Sequence, residues 1–256
     1  MDFLLECIGF PPDYDLSDLV RTIREHGETV AWRGPKGIHL RYPFPGGIDV
    51  RLDRDGEGGP WSLWPHFESP RRLRVALQEL VPLPDSPYDV LLHGIANPPL
   101  PDDPWRETGR MAYPISTYLS DSRRLPRRIP VGHVLAVSIA GFALDVSYVG
   151  PDRGSRNPAI LEQPHGAELQ PLAGEGRPGG CMDVSLRIRT IRHLVNPLTQ
   201  EGIEVIEADA PGRPLDLFLS RWQLSSEGLE RPRPGGRIEG TFLFTGRIAG
   251  GVPRRG

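Results

Sequence analysis

Lysine is almost missing from this chain. Of its 30 basic residues only Lys36 is a lysine; the rest are arginines. Cysteine is nearly as scarce. Cys7 and Cys181 stand alone, far apart and outside any C-x-x-C pair, which excludes a disulfide framework and a cysteine-rich metal module. No run approaches the ~18 apolar residues that a membrane-spanning helix needs. The opening stretch, MDFLLECIGF, has acids where a secretion signal needs a basic leader, and no cleavage site follows it. A cytoplasmic protein is the expectation. A large excess of one charge is absent too. The net charge is −3 over 256 residues. Residues 1–100 carry 10 basic and 15 acidic groups, and residues 101–256 carry 20 and 18. Neither half has the strongly basic balance of a polyanion binder.

Glycine (30) and proline (29) are plentiful. With arginine they share GC-rich codons, so a GC-rich bacterial genome accounts for the bias. The hydrophobic fraction of 38% supports a packed core.

The pattern predicts an α+β protein of two regions, 1–96 and 105–256. FLLECIGF (3–10) reads as an apolar strand. Leu16, Leu19, Val20 and Ile23 recur at helical spacing. Asp15 is placed to cap that helix, and Gly27 to close it in the left-handed conformation. TVAWRG (29–34), IHLRYPF (38–44) and IDVRLD (48–53) alternate apolar and polar residues, the mark of strands with one buried and one wet face. Ser69-Pro70 reads as a helix start, with Leu73, Ala76, Leu77 and Leu80 as its stripe. YDVLLHGIA (88–96) completes a βαβββαβ order, whose βαβββ part is similar to one half-module of the glyoxalase-like metalloenzyme fold. NPPLPDDPW (97–105) breaks regular structure.

The remainder is β-rich. Residues 131–150 read as a hairpin turning at Ala140-Gly141. Residues 150–180 have no sustained period and read as partly disordered or as a lid. Strands follow at 182–195, 202–208, 214–222 and 235–251. The first carries a bulge after Ile188, where its apolar phase slips. Gly240 and Gly246 lie inside the last strand and mark tight curvature or close backbone approach. These features point to an OB-like barrel over about 182–251. GGIDVRLDRDGE, LWPHF, NPLTQEGIEVIEA and GGRIEGTFLFTGRI together resemble a widespread bacterial family of uncharacterised proteins. That resemblance implies an α+β N-terminal region and an OB-like C-terminal barrel. It implies no activity.

One stretch stands out for function. In EGGPWSLWPHFESPRRLR (57–74), Trp61, Trp64, His66 and Phe67 crowd into seven positions. They read first as a plug closing a small core, and second as a ligand-binding wall with His66 as its polar group. A metal-dependent enzyme is the alternative class. Glu6, His39 and Asp49, with Asp53 beside them, are its candidate ligands, since His and carboxylates on neighbouring strands can hold zinc, manganese or iron. A Cys181 nucleophile with His165 or His193 has no GxSxG elbow or other motif behind it. Nucleic acid is not the expected partner. Arg187, Arg189 and Arg192 face Glu201, Glu204, Glu207 and Asp209, and Phe242 and Phe244 fall on the apolar side of their strand. The expectation is a non-enzymatic binding or interaction module without a cofactor, taking a small molecule or a protein.

Overall fold

A computed structural model describes residues 3–30, 37–54, 59–83, 86–100, 111–126, 128–154, 163–172 and 179–252. Two short helices open the chain, α1 (Phe3–Glu6) and α2 (Leu16–His26). The Asp15 side chain accepts from the Ser17 N–H at 2.8 Å, and Leu19 and Ile23 are the buried positions of α2. Gly27 is extended rather than left-handed, because the chain runs straight into β1 (Glu28–Thr29). β2 (Ile38–Pro43), β3 (Ile48–Arg54) and β4 (Ser62–Phe67) follow, and β1 to β4 form an antiparallel sheet in that order. Residues 31–36, which include most of the strand expected at 29–34, lie outside the described residues.

The second sheet has nine strands: β5 (Leu73–Leu83), β6 (Ser86–Ala96), β7 (Tyr113–Leu119), β8 (Val134–Pro151), β9 (Glu168–Pro171), β10 (Cys181–Val195), β11 (Gly202–Ala208), β12 (Leu215–Ser220) and β13 (Gly236–Gly250). A third helix, α3 (Arg221–Ser226), follows β12. Ser220 caps it from both sides of a capping box with Gln223.

The sheet closes on itself twice. β8 and β13 pair along nearly their whole length, from Gly236↔Pro151 to Gly250↔Ala136. One half of this ribbon closes a ring with β5, β6 and β7. The other half closes a ring with β10, β11 and β12. Two five-stranded barrels therefore share one two-stranded wall, and closure removes the free edges that open sheets carry.

The barrels are built alike. β5–β6–β7 and β10–β11–β12 are antiparallel meanders, and β8 and β13 return to pair with β5 and β10. Each meander's third strand closes in parallel onto the other unit's long strand, β7 on β13 and β12 on β8. The registers agree. Leu73↔Val137 corresponds to Val184↔Gly240, and Val90↔Leu119 to Glu204↔Leu219. Tyr118↔Thr245 corresponds to Phe218↔Phe142. The first and last of these matches place β8 on β13 with the same displacement. They exchange about the pair Gly141↔Phe244, which marks a pseudo-twofold axis.

The structure corrects the α+β expectation: the protein is predominantly β, with no βαβββαβ unit and hence no glyoxalase half-module. Residues 3–10 begin with a helical turn; so short and mostly apolar a run has no period that separates a buried strand from a buried helix. After Ser69-Pro70 comes strand β5, with Leu73, Val75 and Leu77 buried in alternation. The Ser69 hydroxyl donates to Asp216 at 2.8 Å instead of capping a helix. β5 and β6 are hydrogen-bonded into the large sheet. The expected hairpin at 131–150 is the single strand β8. Gly141 makes no turn there. A Cβ on it would meet Leu217 Cδ2 at 2.7 Å, so glycine makes room for the side chain of its paired neighbour on β12. The strands of 182–251 do not make an OB-like barrel of their own, since their ring closes only through β8.

Two smaller readings hold. The register of β10 on β11 shifts between Ile188 and Thr190, at the expected bulge. Gly240 is a point of close backbone approach, where a Cβ would collide with the Asp145 carbonyl oxygen. Within the expected loop at 150–180, Glu168–Pro171 is strand β9, paired with β10, and residues 155–162 and 173–178 lie outside the described residues. Residues 101–110, at the proline-rich break, do so as well.

Candidate functional site

The strand pairing places the sequence-predicted residues on two faces of the four-stranded sheet. Phe67 is buried beside Phe218, with ring centroids 4.9 Å apart. Trp61 is half-buried at the entry to β4. The Arg24 and Arg54 guanidinium groups lie 5.7 and 5.0 Å from its ring. Trp64 and His66 point the other way, as do His39, Asp49, Arg51 and Asp53 of β2 and β3. Alternation predicts a wet face here. Instead the first barrel packs over it, and His39, Asp49, Arg51, Asp53 and His66 are all buried. Trp64 stacks on Tyr118 of β7 at 4.5 Å, and its Nε1 donates to Ser62 Oγ at 2.8 Å. The two aromatic contacts of β4, Trp64 on Tyr118 and Phe67 on Phe218, fall on pseudo-equivalent rings of the two barrels.

Within this layer His39 Nδ1 lies 2.8 Å from Asp53 Oδ1, and Asp49 Oδ1 is 4.0 Å from Arg51 Nε. Burial pushes the Asp49 carboxyl above its ordinary value, against the pull of Arg51, Arg247 and Arg41. Glu6 sits in α1 and is also pushed up by burial. Among the described residues no three His, Cys, Asp or Glu side chains are grouped to hold a metal ion. Cys181 is a buried thiol, His193 pairs with Glu204, and His165 lies beside Arg187.

Asp49 supports a pH prediction. An acid whose folded pKa exceeds its unfolded value destabilises the fold above that range and costs less as it protonates. Asp49→Asn is therefore expected to raise stability by about 1 kcal/mol at pH 7. The gain over wild type should close as pH falls through the raised pKa towards 3.8. Chemical denaturation across pH 4–8 checks this; a variant less stable than wild type at pH 7 contradicts it.

The polar layer has little room. Arg51, Trp64, His66, Asp89, Tyr118, Ser120 and Thr245 enclose a cavity of about 10 Å³, about the space of one water molecule. No organic ligand fits there without moving the sheet.

Room exists elsewhere, on the outer face of β9, β10, β13 and β8. A groove of about 370 Å³ lies there, within the size range of ligand sites. Two rows of polar side chains cross it. One is Gln170, Asp183, Thr241 and Asp145; the other begins Glu168, Ser185 and Glu239, with Ser147 beyond. Thr241 Oγ1 donates to Asp183 at 2.9 Å and Ser185 Oγ to Glu239 at 3.2 Å. Among the described residues Asp145, Asp183 and Glu239 have no cationic partner.

The neighbouring surface of the second barrel is the opposite case. Arg187 is 3.9 Å from Asp152, Arg189 is 3.6 Å from Glu207, and Arg192 is 3.7 Å from Asp216. Arg71 bonds Asp216 at 2.7 Å and also pairs with Glu207. Positive charge is neutralised on that surface, while Asp145, Asp183 and Glu239 of the groove face no cation among the described residues. Comparison with protein-family models, with curated proteins and with solved structures returned no match.

The groove was not found from the sequence. Its signal is the polar half of two strands whose apolar half makes the core: Asp183 and Ser185 on β10, Glu239 and Thr241 on β13. Only the register shows that these residues share rows with Asp145 and Gln170.

Proposed function

We propose that this protein is a non-enzymatic binding module of the cytoplasm, and that its groove receives an arginine- or lysine-bearing segment of a partner protein. The observation that carries this reading is the set of carboxylates Asp145, Asp183 and Glu239, without a cationic partner among the described residues, in a groove large enough for such side chains. A guanidinium group bonds carboxylates through two parallel N–H donors, and the flanking hydroxyl groups and Gln170 offer further acceptors. No helix among the described residues is long and apolar enough to cross a membrane.

Fluorescence anisotropy tests the reading with labelled decapeptides, one arginine-rich and one of the same length rich in glutamate. The arginine peptide should bind in the micromolar range and weaken with salt. Asp145→Asn with Asp183→Asn should weaken it at least about tenfold, a loss of ~1.4 kcal/mol. Equal binding of both peptides, or no change in the double variant, contradicts the proposal.

The paired arginines support a second expectation. Single-strand binders displace counterions with free cations and stack bases on exposed rings. Here Arg187, Arg189 and Arg192 each lie within 4 Å of a carboxylate, and Phe242 and Phe244 are fully buried. Mixed-sequence single-stranded DNA or RNA should bind no tighter than about 10 µM at physiological salt. Sub-micromolar, salt-sensitive binding lost in Arg187→Ala with Arg189→Ala overturns this.

A further inference from the structure

The pseudo-twofold axis allows each barrel to serve as a control for the other. At the parallel closure of the second barrel, Phe142 stands beside Phe218, their rings 5.0 Å apart and 18° from parallel. Phe67 of β4 covers the pair. Ile203 pairs with Ser220 at the next position. Apart from Ser220, whose hydroxyl caps α3, the side chains named at this closure are apolar.

The equivalent place in the first barrel is different at each apolar position. Thr245 stands where the second barrel has Phe142, Tyr118 where it has Phe218, and Trp64 covers the closure as Phe67 does. Asp89 precedes Val90 as Ile203 precedes Glu204, so a buried carboxylate replaces an isoleucine. Ser120 matches Ser220. Exchange of a phenyl ring for a threonine opens space, and the cavity of about 10 Å³ lies there, lined by Thr245, Asp89, Tyr118 and Ser120 from the barrel. Arg51, Trp64 and His66 line it from the sheet. The architecture does not require polarity here, since the same closure is apolar on the other side of the axis.

A second observation points to an occupant. Thr245 is buried to 1% exposure, and among the described residues its Oγ1 has no hydrogen-bond partner. A buried hydroxyl without a partner forfeits the hydrogen bond that water gives it in the unfolded chain. A polar cavity of this size takes one water molecule when two to four polar groups surround it.

We infer that this cavity is a binding site for a single ordered water molecule, held by Thr245 Oγ1 and bridging the first barrel to the polar face of the four-stranded sheet. The water is the hydrogen-bonded counterpart of the Phe142 ring. It makes the joint between sheet and barrel a wet one, in contrast to the dry contact of Phe67, Phe218 and Phe142. The volume excludes larger organic ligands. A halide remains a chemical competitor, because Arg51 and His66 carry donors.

A crystal structure of the wild-type chain at about 1.5 Å tests the inference, with a second crystal soaked in bromide. The expected result is one well-ordered water within hydrogen-bonding distance of Thr245 Oγ1, and no anomalous bromide signal in the cavity. An empty cavity, a protein partner on Thr245 Oγ1, or bromide at the site overturns it. In solution, the amide of residue 245 should show a nuclear Overhauser effect to a long-lived water. That effect should be lost in Thr245→Val, whose shape matches threonine without the hydroxyl. If Thr245→Val does not fold, the wild-type crystal alone decides. An unchanged effect in a folded Thr245→Val variant overturns the assignment to Thr245.

Discussion

Arg237→Ala is expected to destabilise the protein by about 3–5 kcal/mol, the scale of removing one partner from a buried charged network. The Arg237 side chain is wholly buried at the start of β13. Its Nε donates to Asp152 at 2.8 Å, its NH1 to Ser185 Oγ at 3.0 Å and the Gly166 carbonyl at 3.2 Å, and its NH2 to the His165 carbonyl at 2.7 Å. One guanidinium group thus ties the end of β8, the turn before β9 and strand β10 together beside the groove. Alanine removes all four bonds. Lysine cannot replace them, because a single ammonium group lacks the planar fork. The carboxyl of Asp152 supplies a second readout. Burial would raise its pKa, but the Gly154 N–H, Arg237 and Arg187 outweigh that and hold it below its ordinary value. A depressed carboxylate contributes stability above its unfolded pKa, and loses it as pH falls through the folded value. In Arg237→Ala the Asp152 pKa should move back up, measured by NMR titration. A variant that melts like wild type with Asp152 unmoved contradicts this account.

Trp64→Ala is expected to cost about 3–5 kcal/mol, as large-to-small changes in packed cores do. Trp64 is 7% exposed and stacked on Tyr118, where the four-stranded sheet meets the first barrel. Its removal opens the polar layer of Arg51, His66 and Asp49 to water, so hydrogen exchange should quicken in β3 and β4 before it does in β11 and β12. Tyr118→Ala should give a similar pattern, and the two losses should not add, since the residues touch. A Trp64→Ala protein that melts like wild type but loses binding of a ligand would make the aromatic cluster a ligand wall instead of a plug.

What could be read from the sequence follows a physical division. α2 was legible because capping, dipole and apolar spacing agree over Asp15–His26. β2, β3, β6, β10, β11 and β13 were legible from alternation or apolar runs. β5 was misread because Leu73, Ala76, Leu77 and Leu80 satisfy a helical period, while Leu73, Val75 and Leu77 satisfy a strand's; the sheet decided between them. β8 was cut in two because glycine usually marks a turn, and here Gly141 makes room for the Leu217 side chain of β12. The barrels' likeness left only a short trace, PISTYLS (114–120) against PLDLFLS (214–220), with Pro, Leu and Ser in common. The burial of His39, Asp49, Arg51 and His66 was not legible at all. Alternation identifies a polar face, but not whether another sheet will cover it. For the groove, the same blindness worked in reverse: its residues look like ordinary solvated positions until four strands are set in register.

The claim that the groove seats a cationic segment is tested most directly by mapping backbone amide shifts while an arginine-rich peptide is added. Shifts should centre on Asp145–Ser147, Glu168–Gln170, Asp183–Ser185 and Glu239–Thr241 and saturate together with one affinity. Shifts centred on Trp61 and His66, or along Arg187–Arg192, or none at millimolar peptide, would contradict it.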